Sequence, residues 1–260
     1  MCAALKSLTL VVASQRSGST LLCRDIESLG GLGVPREYFL KLLKSWKAGI
    51  RTLGEKDVVD QIAKGSDRFD PTIGAVKLMV DYAPKIDAII HQRELLSPKL
   101  AVQSFIDWAF TRFERVNLIF LVREDSLDQA ISKALWRLSG VSHLGEKSNQ
   151  SDMRNNIDKA LADNERLNQL ILKFLPEARA SREILEELYQ ANCGKSLLIR
   201  YSVLASDEKR IASTLIDYGR RNGFAPRSNK LTRNLKKIIK ENDYKNIKEN
   251  YERFISSELE

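Results

Sequence analysis

A short segment near the amino terminus has the residue types that bind an anion. It reads Ala13-Ser-Gln-Arg-Ser-Gly-Ser-Thr-Leu-Leu22 and follows the apolar run 8–13, which has the length of a buried parallel strand. The small residues 17–19 let the backbone approach a ligand where a helix begins near Thr20, and free amides at a helix start point at an anion. The side chain of Arg16 can form charge-assisted bonds to phosphate or sulfate oxygens. A plain turn with a good helix cap is the alternative interpretation. The candidate binding residues are Gln15, Arg16, Ser17, Gly18, Ser19 and Thr20.

This loop lacks the lysine that nucleotide kinases and hydrolases need. In the motif G-x-x-x-x-G-K-[ST], the lysine reaches the β- and γ-phosphates and the hydroxyl holds magnesium. Here Gly18 is followed by Ser19, and the cation, Arg16, comes before the glycine. The pattern therefore favours an anion other than magnesium ATP.

A second polar cluster follows the apolar run 116–122, which predicts another buried strand. Arg123 stands at its carboxyl end, where ligands bind in open α/β sheets. Asp125 and Ser126 are suitable caps for a helix running through Trp136. An arginine followed by polar residues on one helical face can hold a second phosphate group. The helix presents these at three-residue spacing, at Ser126, Gln129 and Ser132.

Lys77 lies in the apolar segment Ile73-Gly-Ala-Val-Lys-Leu-Met-Val80. A charge in such a strand needs a partner or a route to water. It faces an active-site cleft and neutralises ligand charge, or it extends to solvent from an edge strand. The residues alone leave both interpretations open.

The elements that position these residues alternate between strand and helix, which predicts a parallel sheet. We predict an α/β fold, a P-loop-type parallel sheet flanked by helices on both faces, with a basic helical carboxyl-terminal tail. A single domain of 1–260 divides into a core of 1–225 and a tail of 226–260. The predicted strands are 7–14, 72–79, 116–122 and 196–201. The predicted helical regions are 19–29, 36–66, 81–114, 125–138, 151–192 with a break near Pro176, and 206–222. An apolar stripe in 151–192 fits a core or a dimer surface, core being commoner; it comprises Ile157, Leu161, Leu167, Leu170, Ile171 and Phe174.

Length and charge agree with one substantial core and an anionic ligand. The chain has 260 residues, 43% of them hydrophobic, and a formal net charge of +8. Cys2, Cys23 and Cys193 form no C-x-x-C pair, and neither histidine has metal-ligand spacing, so we expect no zinc site. No apolar run approaches the ~18 residues of a membrane span, so we expect a cytoplasmic protein.

The sequence resembles the sulfotransferases that use 3′-phosphoadenosine 5′-phosphosulfate (PAPS), and among them the bacterial trehalose 2-sulfotransferase type. The matching segments occur in the order found in the family. They are Ala13–Leu22, Pro35-Arg-Glu-Tyr-Phe39, Gly74–Met79, and Arg123 with Ser126, Gln129, Ala130 and Ser132. Family members form dimers, so the resemblance makes a homodimer an expectation.

The resemblance implies roles for these residues. The loop from Arg16 to Thr20 would bind the 5′-phosphosulfate, while Arg123 and Ser132 would bind the 3′-phosphate. A basic carboxyl-terminal segment closes over the nucleotide in sulfotransferases, which makes Arg227, Lys230 and Arg233 candidates. Lys77 would neutralise charge beside the transferred group.

Glu37 would be the catalytic base, because the matching family glutamate is assigned that role. A sugar hydroxyl is a weak nucleophile, and a partly desolvated carboxylate suits general-base work. From the residues alone, a solvated glutamate in the first turn of a helix is the commoner interpretation.

The sequence thus predicts a metal-independent enzyme that transfers a sulfuryl group from PAPS to a carbohydrate-like hydroxyl. The acceptor pocket would come from segments 36–66, 81–114 and 138–160. A small-molecule kinase is one alternative, disfavoured by the missing lysine. A nucleic-acid or polyanion binder is another. It would explain the basic tail, but no interleaved aromatic stacking residues accompany the charge.

Overall fold

The protein is described here by a computed structural model, which covers residues 4–49, 52–141, 150–233 and 241–258. These residues form two compact units. The first comprises residues up to Glu124 together with Ser181–Arg233, and the second comprises Asp125–Ala180 and the residues after Arg233. The predicted division into a core of 1–225 and a tail of 226–260 stays a prediction.

The first unit contains a four-stranded parallel sheet of order β2-β1-β3-β4. Its strands are β1 Ser7–Ala13, β2 Ile73–Met79, β3 Arg115–Val122 and β4 Ser196–Arg200. Helices connect them, which confirms the predicted α/β fold. Those of the first unit are α1 Ser19–Leu29, α2 Leu40–Lys47, α3 Glu55–Ala63, α4 Ala83–His91, α5 Pro98–Arg112, α9 Tyr201–Ser206 and α10 Glu208–Arg221.

The sheet forms because its strands are nearly continuous apolar runs. Every residue of β1 and β2 is buried, as expected for parallel strands covered on both faces. In register, Ala13 lies beside Met79 on one side and Leu121 on the other, so the strands end together at one edge. In the sheet, β2 lies on one side of β1 and β3 on the other, so the connection from β1 to β2 and the connection from β2 to β3 run in opposite directions. The loops after β1 and β3 therefore flank the switch point of the sheet, where α/β proteins bind ligands.

The second unit is helical and has its own core. Its helices are α6 Ser126–Ser139, α7 Gln150–Ala162, the part of α8 (Asn164–Ala191) up to Ala180, and α11 Glu241–Glu258. The apolar stripe of α7 and α8 lies in this core, where Leu167 and Ile171 are at most 1% exposed. The core interpretation of the stripe is therefore confirmed.

The predicted break near Pro176 is wrong. Helix α8 continues through Pro176, and the helical region is interrupted at Asp163 instead. The side chain of Asp163 accepts a hydrogen bond from the N–H of Arg166 at 3.3 Å, and its carbonyl accepts one from the N–H of Leu167 at 3.0 Å. Asp163 therefore caps the start of α8. Pro176 and Leu172 are exposed. Proline has no N–H to donate to the carbonyl of Leu172, one turn earlier. Water can solvate that exposed carbonyl instead, so the helix tolerates the proline.

Within the described ranges, none of the helices has the length and apolar character needed to cross a membrane.

Candidate nucleotide-binding and catalytic site

The loop between β1 and α1 has the geometry of an anion site. Arg16 and Gly18 have φ angles of 61° and 91°, in the left-handed region. A turn of this kind directs successive N–H groups toward one concavity. The hydroxyl of Ser17 donates to the carbonyl of Ser14 at 2.7 Å, which closes the loop. The N-cap residue of α1 is Gly18, which has no side chain to cap the helix, and the first amides of a helix have no helical acceptor.

The conformation of Arg16 is costly for a residue with a side chain. Left-handed backbone at a non-glycine residue costs about 1–2 kcal/mol. Strain of this kind persists where the surrounding structure imposes it, often at functional sites. The side chain of Arg16 is half-buried, as are those of Gln15 and Thr20. The strain therefore supports a binding role for this loop.

Tyr201 packs directly on the loop, and the sequence did not point to it. A Cβ atom placed on Gly18 would lie 2.5 Å from the Tyr201 ring. Gly18 is therefore required both by its φ angle and by this ring. Tyr201 is the first residue of α9, directly after β4, so only the parallel arrangement of the strands brings it to the loop.

Arg123 joins the loop after β3 to the loop after β1. Its Nη1 donates to the carbonyl of Arg16 at 3.0 Å, and its guanidinium lies 4.6 Å from the centre of the Tyr201 ring. The side chain is almost fully buried. A buried arginine against an aromatic face is held in one orientation. The structure thus brings Arg123, Arg16 and Gly18 together, as the two motifs predict.

Glu124 fixes the helix that carries Tyr201. Its carboxylate accepts hydrogen bonds from the N–H of Ser202, at 3.3 Å, and from the hydroxyl of Ser202. Its carbonyl accepts from Nη1 of Arg182 at 3.0 Å. A carboxylate at the start of α9 satisfies amides that have no helical acceptor. Hydrogen bonds from Ser202 to Glu124 therefore connect the start of α9 to the loop after β3.

Lys77 connects the loop to Glu37. Its Nζ lies 2.7 Å from Oε1 of Glu37 and donates to Oγ of Ser19 at 3.2 Å. The Lys77 side chain is 6% exposed, whereas that of Glu37 is 34% exposed. Although β2 is an edge strand, Lys77 does not extend to solvent. The solvent-reaching interpretation of Lys77 is therefore wrong, and its role toward a ligand stays a prediction.

The backbone explains why Glu37 meets a residue so far along the chain. The carboxylate of Asp67 accepts from the N–H groups of Gly31 and Gly33 at 2.7 and 3.1 Å, which fixes the turn after α1. The following segment then lies along β2, where Lys77 N–H donates to the carbonyl of Arg36 at 3.0 Å. Glu37 is the next residue, so its side chain is placed beside Lys77.

Two other titratable groups near this ion pair are held neutral. Burial raises the pKa of the Cys23 thiol to about 12, with Lys77 opposing the shift. Burial, together with the negative charge of Glu37, raises the pKa of Tyr82 well above its usual range, and its hydroxyl donates to the carbonyl of Lys77 at 2.9 Å. Cys23 is thus a packing residue rather than a nucleophile.

Asp125, Ser126 and Ser132 belong to the second unit. Asp125 caps α6, as predicted, by accepting from the N–H of Asp128 at 2.9 Å. Ser126 and Ser132 are buried in α6 of the second unit, and the Ser126 hydroxyl has no hydrogen-bond partner among the described residues. Their predicted role stays a prediction.

The basic segment after α10 is only partly described. The Arg227 guanidinium lies 4.9 Å from the centre of the Phe69 ring, and Lys230 is exposed. Arg233 is engaged with Asp25 of α1. Residues 234–240, with Lys236, Lys237 and Lys240, lie outside the described residues.

The predicted acceptor segments are also incomplete, since residues 50–51 and 142–149 lie outside the description. In segment 36–66, Trp46 is partly buried and packs α2 against the main core. Among the described residues, no three His, Cys, Asp or Glu side chains are placed to hold a metal ion.

Comparison with protein families shows which family the chain belongs to. The family model described as Stf0 sulphotransferase matches residues 9–246. The chain belongs to the Stf0 sulphotransferase family. The match includes the loop after β1, Glu37, Lys77 and Arg123, and it confirms the resemblance found in the sequence. The Stf0 chain is therefore a sulfotransferase, and sulfuryl transfer is its reaction class.

Solved sulfotransferase structures are similar to the Stf0 chain. A sulfotransferase from Alicyclobacillus acidocaldarius is 13% identical, with 98% of this chain and 96% of that chain covered and a TM-score of 0.48. The sulfotransferase domain of the olefin synthase from Synechococcus PCC 7002 is 17% identical, with 83% and 73% covered and a TM-score of 0.34. A search of curated proteins found no match.

Proposed function

We propose that this Stf0 protein transfers a sulfuryl group from PAPS to a hydroxyl of a carbohydrate-like acceptor, with Glu37 as the general base. The observation that carries the proposal is the chain of contacts from Ser19 through Lys77 to Glu37. It joins an anion-binding loop to a partly exposed carboxylate. A donor phosphosulfate on the loop would then lie beside a group able to accept a proton.

The reaction follows from these neighbours. Glu37 takes the proton of the acceptor hydroxyl, and the acceptor oxygen forms a bond to sulfur. The bond from sulfur to the phosphate oxygen breaks, and its electron pair leaves with 3′-phosphoadenosine 5′-phosphate (PAP). The proton ends on Glu37, which releases Lys77 to interact with the charge of the departing phosphate. Preorganised donors of this kind are often the largest catalytic contribution, and the loss of one costs about 3 kcal/mol.

Arg123 is proposed to bind the 3′-phosphate of the donor, as the family resemblance implies. Its position at the switch point, beside the loop that would hold the 5′-group, supports this role. Ser126, Ser132, Arg227 and Lys230 stay candidates from the sequence. The homodimer and the cytoplasmic location likewise stay predictions.

Replacing Arg123 by alanine is expected to weaken PAP binding. Hydrogen bonds to a charged group contribute about 1.5–3 kcal/mol, so the dissociation constant should rise about 10- to 100-fold. Calorimetric titration with PAP measures the change. Arg115→Ala is a matched control, because Arg115 stands at the other end of β3 and donates to Ser7 and Gly223 instead. Equal affinities for the two variants would remove Arg123 from the site.

The transfer itself is tested with PAPS that carries radioactive sulfur, in the presence of a metal chelator. A panel of sugars, glycolipid headgroups, simple alcohols and amines supplies acceptors. We expect label to appear in at least one carbohydrate-like acceptor without added metal. Transfer that requires magnesium, or label in none of the hydroxyl acceptors while an amine is labelled, would contradict the proposal.

A further inference from the structure

Helix α1 carries a carboxylate in the protein interior. Asp25 lies within this helix, which starts at the phosphate loop, and its side chain is 0% exposed. A buried carboxylate is costly unless it is paired and hydrogen-bonded. Its partner therefore bears directly on how α1 is held.

That partner is Arg233, which comes from the segment after α10. Its Nε donates to Oδ1 of Asp25 at 3.0 Å, and its Nη2 donates to Oδ2. Its Nη1 donates to the carbonyl of Leu204 in α9 at 2.9 Å. A single guanidinium from the segment after α10 thus binds both α1 and α9. The Arg233 side chain is only 15% exposed.

The same segment is fixed to α1 at a second place. The N–H groups of Arg227 and Ser228 donate to the carbonyl of Leu29 at 3.0 and 2.8 Å. From the carboxyl end of α1 at Leu29, the segment continues to Asp25, one turn nearer the phosphate loop. The segment is therefore attached to α1 at Leu29 and again at Asp25.

Helix α9 contacts the loop as well. A Cβ atom on Gly18 would meet both the Tyr201 ring and, at 3.7 Å, a methyl group of Leu204. Leu204 is the residue whose carbonyl Arg233 holds. The two helices that Arg233 joins are thus the helix that begins at the loop and the helix that packs on it.

We propose that Arg233 is a positioning residue, whose ion pair with Asp25 holds α1 and α9 so that the loop at 14–18 keeps its anion-binding shape. This role differs from the direct nucleotide contact that the sequence predicted for Arg233. It rests on the proposed function, because the ligand of the loop is taken to be the donor nucleotide. The guanidinium acts on that ligand through Asp25.

The charge of Asp25 provides a distinctive readout. Burial raises the pKa of Asp25, Arg233 opposes the shift, and Glu208 of α10 adds to it. A carboxyl whose folded-state pKa lies above its unfolded value favours folding at low pH, and this contribution is lost as the pH rises through the folded pKa. Without Arg233 the folded pKa would rise further. The stability deficit of such a variant should therefore grow from acidic to neutral pH.

The experiment compares the full-length wild type with Arg233→Met, Asp25→Asn and the double variant. Each is titrated calorimetrically with PAP and unfolded by denaturant across a range of pH. We expect each single variant to lose about tenfold or more in PAP affinity. The double variant should bind PAP about as weakly as the single variants, because all three lack the ion pair and the two losses therefore do not add. Its stability, in contrast, should lose the pH-dependent deficit, because no buried charge is left without a partner.

The alternative outcomes are distinct. If Arg233 contacts the nucleotide directly, Asp25→Asn will keep its affinity for PAP while Arg233→Met loses it; that result would overturn the inference. If Arg233→Met does not fold, Asp25→Asn and the double variant carry the test: folded protein with weakened PAP binding in both supports the ion-pair role, and wild-type affinity in either overturns it. A wild type that does not bind PAP would instead overturn the proposed function, and the inference with it.

Discussion

Glu37→Gln is expected to lose most of the turnover while it keeps PAP binding within about threefold of the wild type. Glutamine has the same shape as glutamate, but its amide cannot take the proton of the acceptor hydroxyl. General-base catalysis contributes about 10²- to 10⁴-fold, so kcat should fall by about that factor. Lys77, which contacts both Glu37 and Ser19, keeps its second partner in the variant. The donor site should therefore persist.

The measurement is the initial rate of sulfuryl transfer at saturating PAPS and acceptor, alongside calorimetric binding of PAP. Glu27→Gln is the matched control, since Glu27 pairs with Arg36, the residue before Glu37, at 3.2 Å on the surface. The control should keep the wild-type rate because surface pairs contribute little. Wild-type turnover in Glu37→Gln would remove the base assignment and leave Glu37 as a structural partner of Lys77.

Gly18→Ala is expected to abolish measurable PAP binding. Alanine would have to adopt a φ of 91°, and its Cβ would lie 2.5 Å from the ring of Tyr201. Left-handed backbone costs about 1–2 kcal/mol, and overpacking costs about 1–3 kcal/mol more. The loop must relax or Tyr201 must move, and either change alters the site that Arg123 shares.

Gly49→Ala separates the two contributions in this second experiment. Gly49 also has a positive φ, of 79°, but a Cβ there would meet nothing within 4 Å. It therefore reports the backbone cost alone, as a small drop in melting temperature with PAP affinity retained. If Gly18→Ala binds PAP as well as Gly49→Ala does, close packing of the loop against Tyr201 is not needed for binding.

The strands and helix α1 could be predicted from the sequence because local pattern determines them. The buried runs that end at Ala13 and Val122 are apolar at nearly every position, and α1 begins where small residues stop. The switch point then follows from the strand order. Pro176 shows the limit of local pattern, since its effect on α8 depends on solvent exposure, which the residue type does not reveal.

The contacts of the site depended on tertiary structure. The pairing of Lys77 with Glu37 joins an edge strand to a segment that precedes it by about 40 residues, and no helical or strand period connects them. Tyr201 reaches Gly18 only because β4 is parallel to the rest of the sheet. The sequence identified Arg233 by its charge. Nothing in the sequence of α1 indicated that Asp25 is the partner of Arg233.

The proposed function requires that this site bind a 3′,5′-substituted adenosine nucleotide without metal. Isothermal titration of the full chain, in buffer containing a chelator, with PAP tests it most directly. Parallel titrations with magnesium ATP in chelator-free buffer and with a short oligonucleotide distinguish the kinase and nucleic-acid alternatives. We expect tight binding of PAP alone. Preference for magnesium ATP or for the oligonucleotide, with no binding of PAP, would contradict it.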